Sequence, residues 1–118
     1  MVKEIKPLES IWETYTQSWK VSIREEKMDL YASSLTLGVI YHAPDAKTKG
    51  FEELADQMIA FHQQVPGGHF ITTKFLSHSN KSIAIWNMHN GQGEKIGEGV
   101  SYGEYNEDGK LTSMTGFF

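Results

Sequence analysis

The last third of the chain constrains the fold most, because it has the pattern of two long strands joined by a tight turn. We expect the strands at Ile96–Tyr105 and Lys110–Phe118, and the turn at Asn106–Gly109. Asn, Asp and Gly are residues that tight turns favour. The sequence therefore predicts an antiparallel pair here, and its inner face would form the floor of any pocket.

Two further strands are predicted before this pair. They are expected at Phe70–His78 and Ser82–His89, separated by a turn at residues 79–81. The second of them is apolar on both faces, with Ala84, Trp86 and Met88 on one and Ile83 and Ile85 on the other. Such a strand is typical of a position that is covered on both sides. Together the four strands predict an antiparallel meander.

Two helices are predicted at the start of the chain. The first begins at Pro7, and its apolar stripe consists of Leu8, Ile11, Trp12, Tyr15 and Trp19. These residues have the spacing of one helix face, so their large rings should lie against a broad apolar surface. Ser22 and Glu25 have the spacing of a capping box. This predicts a second helix over residues 23–31, with Met28 and Tyr31 facing inward.

A strand and a third helix should follow. The strand is expected at Leu35–His42, with Leu35, Leu37, Val39 and Tyr41 alternating on one face and Gly38 marking a bulge. Pro44, Asp45 and Gly50 indicate a loop. The third helix is expected at Phe51–Val65 and is ended by Pro66 and the glycines after it.

The predicted order of elements is therefore α-α-β-α-β-β-β-β. Helices grouped on one side of a mainly antiparallel sheet are typical of the α+β class. Gly97, Gly99 and Gly103 occupy alternate positions of one strand. Glycines in a strand permit bulges and close approach, so they indicate a strongly curved sheet.

Composition limits the expected partners. The chain has 118 residues, enough for one domain that spans residues 1–118. Its net charge of −4 and the lack of a basic cluster argue against nucleic acid and anionic membranes as partners. It has no cysteine, which excludes disulfides and is compatible with a cytoplasmic location. The N-terminus has no apolar segment, so no secretory signal is expected.

Metals and cofactors are not expected either. No two histidines have helical i, i+4 spacing with a nearby carboxylate, which is the pattern of a zinc site on a helix. The Gly97-Glu98-Gly99 segment is too short for a phosphate-binding loop and opens no helix.

Several segments of the chain, taken together, resemble the nuclear transport factor two-like superfamily, and within it the SnoaL-like and ketosteroid-isomerase-like proteins. They are the Trp/Tyr-rich first helix, Leu30-Tyr31, Pro44, Gly50, Phe61–Gly67, Gly99–Tyr102, Asn106–Lys110 and Gly116–Phe118. The resemblance covers essentially the whole chain. It implies a single SnoaL-like domain shaped as a cone, with three helices on the curved sheet and a pocket at the open mouth. It also implies a homodimer formed through the outer face of the sheet.

The resemblance also implies where catalytic acids would lie. Isomerases of this family use a carboxylate base before a proline at the end of the first strand, and a protonated acid in the penultimate strand. Those positions are Ala43 and Ser101 here, so both acids are absent. Tyr15 matches the family's helix-one tyrosine. An enzyme would have to use Tyr15, Tyr41 or His42 as catalytic residues, and strand parity directs His42 outward.

We expect an apolar pocket with a few hydroxyl groups, as is usual for ligand sites. Its predicted lining is Tyr15, Trp19, Tyr41, Met58, Phe61, Trp86, Met88 and Ser101. The favoured hypothesis is a domain that binds a small hydrophobic molecule. Two alternatives stay open: an enzyme of the cyclase, isomerase or dehydratase kind, and a protein-interaction module whose pocket is filled by side chains.

Overall fold

The computed structural model describes residues 7–118. Residues 1–6, which include most of the segment that argued against a secretory signal, lie outside this range. The helices are α1 (Leu8–Lys20), α2 (Arg24–Ser34) and α3 (Gly50–Gln64). The strands are β1 (Leu35–Ala43), β2 (Ala46–Lys49), β3 (His69–His78), β4 (Lys81–His89), β5 (Lys95–Tyr105) and β6 (Leu111–Phe117).

The six strands form one open, mixed sheet in the order β2-β1-β6-β5-β4-β3. All neighbours are antiparallel except β1 and β6, which run parallel. The α+β class, the order of the predicted elements and the mainly antiparallel sheet are therefore confirmed. None of the helices in the described part of the chain is long and apolar enough to cross a membrane.

The short strand β2 occupies a segment for which the sequence predicted a loop. Ala43 pairs with Ala46, so that Pro44 and Asp45 form a two-residue turn between β1 and β2. Only Thr48 of β2 is buried. A short edge strand with lysines on its exposed positions has no apolar alternation, which explains why the pattern failed to predict it.

Helix α1 follows its apolar stripe. Ile11, Trp12, Tyr15 and Trp19 are all buried, and Pro7 immediately precedes the first helical residue. The helix packs on α2 and on β3, so the broad apolar surface expected beneath its rings is supplied by a helix and by the sheet together.

The predicted capping box at the start of α2 is wrong. The helix begins at Arg24 after Ile23, and no side chain caps it. The buried Lys27 instead reaches back to α1, and its Nζ donates to the carbonyl oxygens of Ser18 at 2.8 Å and Val21 at 2.6 Å. Carbonyls at the end of a helix lack intrahelical partners. The residues between the two helices are therefore held by the lysine rather than by a serine cap.

Strand β1 contains the bulge that Gly38 predicted. The bulge turns outward one residue that was predicted to face inward. Between the pairs Leu35–Leu111 and Ile40–Ser113 the register with β6 shifts. Leu37 lies in this irregular stretch and is 82% exposed, so its predicted inward position is wrong. After the bulge the alternation is regular, and Val39 is buried like the later odd-numbered residues of the strand.

The prediction that β4 is covered on both faces is wrong for the single chain. Ala84 and Trp86 are buried on the inner face, whereas Ile83 and Ile85 are 44% and 36% exposed on the opposite face. The helices cover only the inner face of the sheet, so the outer face of β4 has no cover within the chain.

Candidate ligand-binding cavity

A cavity of about 290 Å³ lies between α1, the C-terminal half of α3 and the inner face of the sheet. A water molecule occupies about 30 Å³ in the liquid, so this space corresponds to about ten waters. Seven of the eight predicted site residues line it: Tyr15, Trp19, Tyr41, Phe61, Trp86, Met88 and Ser101. The cavity is open, which does not fit the hypothesis of a pocket filled by side chains.

Met58 is the predicted site residue that does not line the cavity. It is fully buried, and its sulfur accepts a hydrogen bond from the Tyr31 hydroxyl at 3.0 Å. On α3 the cavity is reached by Gln57, Phe61 and Gln64. Met58 lies on the same buried face of α3 as Leu54 and packs into the core. The apolar stripe of α3 therefore contains residues that do not border the cavity.

Aromatic rings form much of the cavity wall. Trp19 contacts Phe61 and Phe70 with ring centroids 5.6 and 5.4 Å apart and ring planes at 86° and 78°. Phe70 in turn contacts Trp86 at 5.0 Å and 82°. Edge-to-face contacts of this kind are favourable between aromatic side chains. Rings at such angles enclose a box rather than form a flat platform.

Ser101 lies on the inner face of β5, where the sequence placed it. Its Oγ accepts a hydrogen bond from Trp86 Nε1 at 3.0 Å. Two residues earlier, a Cβ on Gly99 would lie 2.5 Å from the Trp86 ring. The glycine therefore allows the indole to lie flat across β5, and the serine fixes its polar end.

Two tyrosine hydroxyls belong to cavity residues. The Tyr15 hydroxyl accepts from Trp19 Nε1 at 2.8 Å, and burial raises its pKa well above that of a free tyrosine. Burial, together with the negative charge of Asp45, raises the pKa of Tyr41 to about 12. Both phenols therefore stay protonated at neutral pH and can donate hydrogen bonds.

His42 is a candidate catalytic residue that the structure places outside the cavity. Its neighbours Tyr41 and Ala43 are buried, while His42 is exposed and pairs in register with Lys47. Side chains alternate between the two faces of a strand, so the outward direction expected for His42 holds. Its proposed catalytic role does not fit this position.

Asp45 is a cavity residue that the sequence analysis missed. Because β2 was not predicted, residues 44–50 were treated as a loop, and the turn that carries Asp45 to the cavity was not recognised. The sequence signal for this turn was the Pro44-Asp45 dipeptide. It lies between Ala43 and Ala46, which pair with each other across the turn. The carboxylate thus lies two positions after Ala43, the position to which the resemblance assigned a catalytic base.

Other missed lining residues include Trp12, Phe70, Thr72 and Phe118. Two of them carry buried polar atoms without a hydrogen-bond partner, Trp12 Nε1 and Thr72 Oγ1. A buried polar group without a partner costs about 1–3 kcal/mol. Trp12 was predicted only as a core residue, and Phe70 and Phe118 only as strand ends.

No metal centre is formed by the part of the chain that the structure describes. Within residues 7–118, no three His, Asp or Glu side chains are grouped so that they could hold an ion. The rings of His69 and His89 stack 5.6 Å apart, but their Nδ1 atoms bond to the carbonyl oxygens of Gly67 and Gly93.

No family model matches the sequence, and no curated protein is similar enough to match it. Solved structures do resemble it. A proposed isomerase of the SnoaL-like family from Agrobacterium tumefaciens superposes with a TM-score of 0.85 at 22% identity, covering 92% of this chain and 94% of that one. A nuclear transport factor two-like protein of unknown function from Cytophaga hutchinsonii gives 0.71 at 14%, covering 100% and 94%.

A third structure of this kind contains a small organic molecule. TerC, co-crystallised with polyporic acid, superposes with a TM-score of 0.73 at 14% identity and covers 96% of this chain and 92% of its own. At such identities the likeness establishes the fold and leaves the activity open.

Proposed function

Because the chain has the nuclear transport factor two-like fold, in its SnoaL-like form, we propose that it is a binding domain for a small, largely apolar molecule. The observation that carries the proposal is the open cavity of about 290 Å³ walled by aromatic rings. This volume lies near the lower end of the range for small-molecule sites. The ligand is therefore a molecule of at most about three rings.

Polar groups in the wall support the proposal. The Tyr41 hydroxyl has no hydrogen-bond partner among residues 7–118, and Trp12 Nε1 and Thr72 Oγ1 are buried without one. A few oriented polar groups in an apolar wall are typical of sites that fix a ligand's orientation. A neighbour of the same fold that was crystallised with polyporic acid gives a precedent for an organic ligand in this fold.

Titration with the neutral fluorophore N-phenyl-1-naphthylamine tests the proposal. Its emission rises when it enters an apolar site, so wild-type protein should give a saturable increase. Ala60 lies on the cavity wall, and Ala60→Trp should weaken binding at least about tenfold by obstructing the cavity. Ala32→Trp adds the same indole to an exposed position of α2, a helix without cavity residues, and should bind normally. Equal binding by both variants would contradict the proposal.

An enzyme is the second candidate, and one observation favours it. The Asp45 carboxylate interacts electrostatically with the Tyr41 phenol, and both residues line the cavity. A carboxylate can abstract a proton from a carbon next to a carbonyl, and a phenol can donate a hydrogen bond to the oxyanion that forms. Asp45 and Tyr41 take the place of the catalytic candidates Tyr15, Tyr41 and His42 that the sequence suggested. The outward position of His42 excludes it from this role.

Isomerisation of a β,γ-unsaturated ketone tests the second candidate. Asp45→Asn should abolish turnover, and Tyr41→Phe should lower kcat by about a hundredfold, as the loss of an oxyanion donor does. His42→Ala should leave the rate unchanged, because His42 faces away from the cavity. Turnover that survives Asp45→Asn would exclude this mechanism.

The outer face of the sheet supports the proposal that two copies of the chain associate. We define the outer-face patch as Leu76, Ile83, Ile85, Val100, Tyr102 and Phe117, which are neighbours in the register of β3, β4, β5 and β6. Leu76 is 57% exposed and Phe117 is 60% exposed. A contiguous apolar patch on a sheet is typical of an interaction site, and we propose that its occupant is a second copy of the chain.

The cytoplasmic location stays a prediction.

A further inference from the structure

Among the described residues, the cavity wall contains one charged side chain, the Asp45 carboxylate. Asp45 lies in the exposed turn between β1 and β2, and it forms no hydrogen bond or ion pair within residues 7–118. The wall contains no Lys, Arg or His side chain from this part of the chain. Among the wall residues that the structure describes, therefore, none neutralises the negative charge of Asp45.

The basic residues closest to Asp45 in sequence do not point into the cavity. Lys47 and Lys49 are exposed and alternate with the buried Thr48, so their side chains leave the opposite face of β2. Arg24 is engaged elsewhere, with ion pairs to Glu52 at 2.6 Å and Asp56 at 3.0 Å. Lys47, Lys49 and Arg24 thus do not offset the negative charge at the cavity.

The rest of the wall suits a positive charge as well. Tyr41 contacts Trp19 at 5.7 Å, and the rings of Trp19, Phe61, Phe70 and Trp86 continue the box from there. The face of an aromatic ring carries partial negative charge and attracts cations within about 6 Å of its centroid. Boxes of several rings are used to bind quaternary ammonium groups for this reason.

The charge state of Tyr41 does not change this balance. Burial and the charge of Asp45 raise its pKa to about 12, so the phenol is neutral at physiological pH. It neither adds a second negative charge nor supplies a positive one. An anionic ligand would be repelled by the Asp45 carboxylate, on a chain whose net charge is already −4.

We propose that the ligand of this cavity is a hydrophobic cation, a small molecule with an apolar body and an ammonium group held between the aromatic box and the Asp45 carboxylate. This inference rests on the proposed binding function and names the chemical class of its ligand. The apolar body displaces water from the rings, and the ammonium group meets the Asp45 carboxylate.

Two probes of equal shape test the inference. Phenyltrimethylammonium and tert-butylbenzene differ only in the exchange of a cationic nitrogen for a neutral carbon, and benzenesulfonate serves as an anionic comparison. All three tryptophans of the chain line the cavity, so their intrinsic fluorescence reports binding. At low salt we expect the cation to bind about fivefold more tightly than tert-butylbenzene, and benzenesulfonate not to bind.

Two variants test whether Asp45 recognises the positive charge of the ligand. Asp45→Asn should weaken phenyltrimethylammonium about two- to fivefold, the range of an exposed charge pair, and leave tert-butylbenzene unchanged. Asp29→Asn makes the same charge change at an exposed position of α2, away from the cavity, and should alter neither affinity. Circular dichroism of both variants verifies that they fold.

The outcomes separate this inference from the function on which it rests. If tert-butylbenzene binds as tightly as the cation, the inference is overturned while the binding function stands. If the cation binds better but Asp45→Asn has no more effect than Asp29→Asn, the role of Asp45 is overturned. If none of the three probes binds, the proposed function falls and the inference with it.

Discussion

The indole N–H of Trp86 donates a hydrogen bond to the Ser101 hydroxyl at 3.0 Å, between adjacent strands on the inner face of the sheet. In the ketosteroid-isomerase-like proteins that the sequence resembles, the family pattern implies an acid at the position of Ser101. Here that position anchors an aromatic wall residue instead, so the arrangement maintains the shape of the cavity rather than supplying a proton.

Removal of this hydrogen bond should destabilise the fold. Ser101→Ala leaves the largely buried Nε1 of Trp86 without its partner, and we expect the free energy of unfolding to fall by about 1 kcal/mol. Urea denaturation measures the change. Ser33→Ala removes an exposed hydroxyl from α2 and is the matched control. Equal effects of the two substitutions would show that the Trp86–Ser101 bond contributes nothing.

Gly99 and Gly97 should respond differently to the same substitution. A Cβ on Gly99 would lie 2.5 Å from the Trp86 ring, whereas on Gly97 the nearest atom is Met88 Cβ at 3.8 Å. Gly99→Ala forces the indole to move, and we expect a loss of about 1–3 kcal/mol. Gly97→Ala should lower the free energy of unfolding by less than half as much. Thermal unfolding of both variants measures the difference. A reversed order would mean that Trp86 does not cross β5 at Gly99.

Lys27 should make stability depend on pH. Its burial lowers the pKa of the ammonium to about 8, below the usual lysine value of 10.5. Between these pH values the unfolded chain binds more protons than the folded chain, so stability rises with pH. We expect a gain of about 1 kcal/mol from pH 8 to pH 9.5, measured by urea denaturation.

Lys27→Met provides the control for this gain, because it removes the titrating group and leaves a side chain of similar length. The gain should disappear in the variant, whatever its stability at neutral pH. A variant that keeps the full pH dependence would assign the effect to other groups.

The outer-face patch should control association. Ile83→Lys places a charge at 44% exposure in the middle of the patch, where a second copy would have to bury it. In sedimentation at micromolar concentration, the wild type should migrate at twice the 13.4 kDa mass of the chain, and the variant at that mass. Leu37→Lys, at an exposed position outside the patch, should behave like the wild type. A wild type that sediments as a single chain would refute the proposed dimer.

The sequence predicted the inner face of the meander well and the first turn of the sheet poorly, for a physical reason. Trp86, Met88 and Ser101 lie on strands whose long alternation leaves only one register that buries apolar side chains. The β1–β2 turn has no such alternation, because β2 is a short edge strand with exposed lysines. Asp45 was missed as a consequence, since its position depends on that turn.

The local errors have a similar origin. Leu37 satisfies the alternation of β1, but the bulge removes it from the face that the pattern assigned to it. The spacing of Ser22 and Glu25 is that of a capping box, yet Lys27 satisfies the neighbouring helix end from another position. Both outcomes depend on contacts between distant segments, which a local pattern does not contain.

The most direct test of the central claim is the NMR spectrum of the methionine methyl groups during titration with N-phenyl-1-naphthylamine. Met88 lines the cavity, whereas Met58 and Met114 are buried in the core outside it. We expect the ring current of the bound fluorophore to shift the Met88 methyl resonance and to leave those of Met58 and Met114 in place. A Met88 resonance that stays fixed at saturating fluorophore would contradict this expectation.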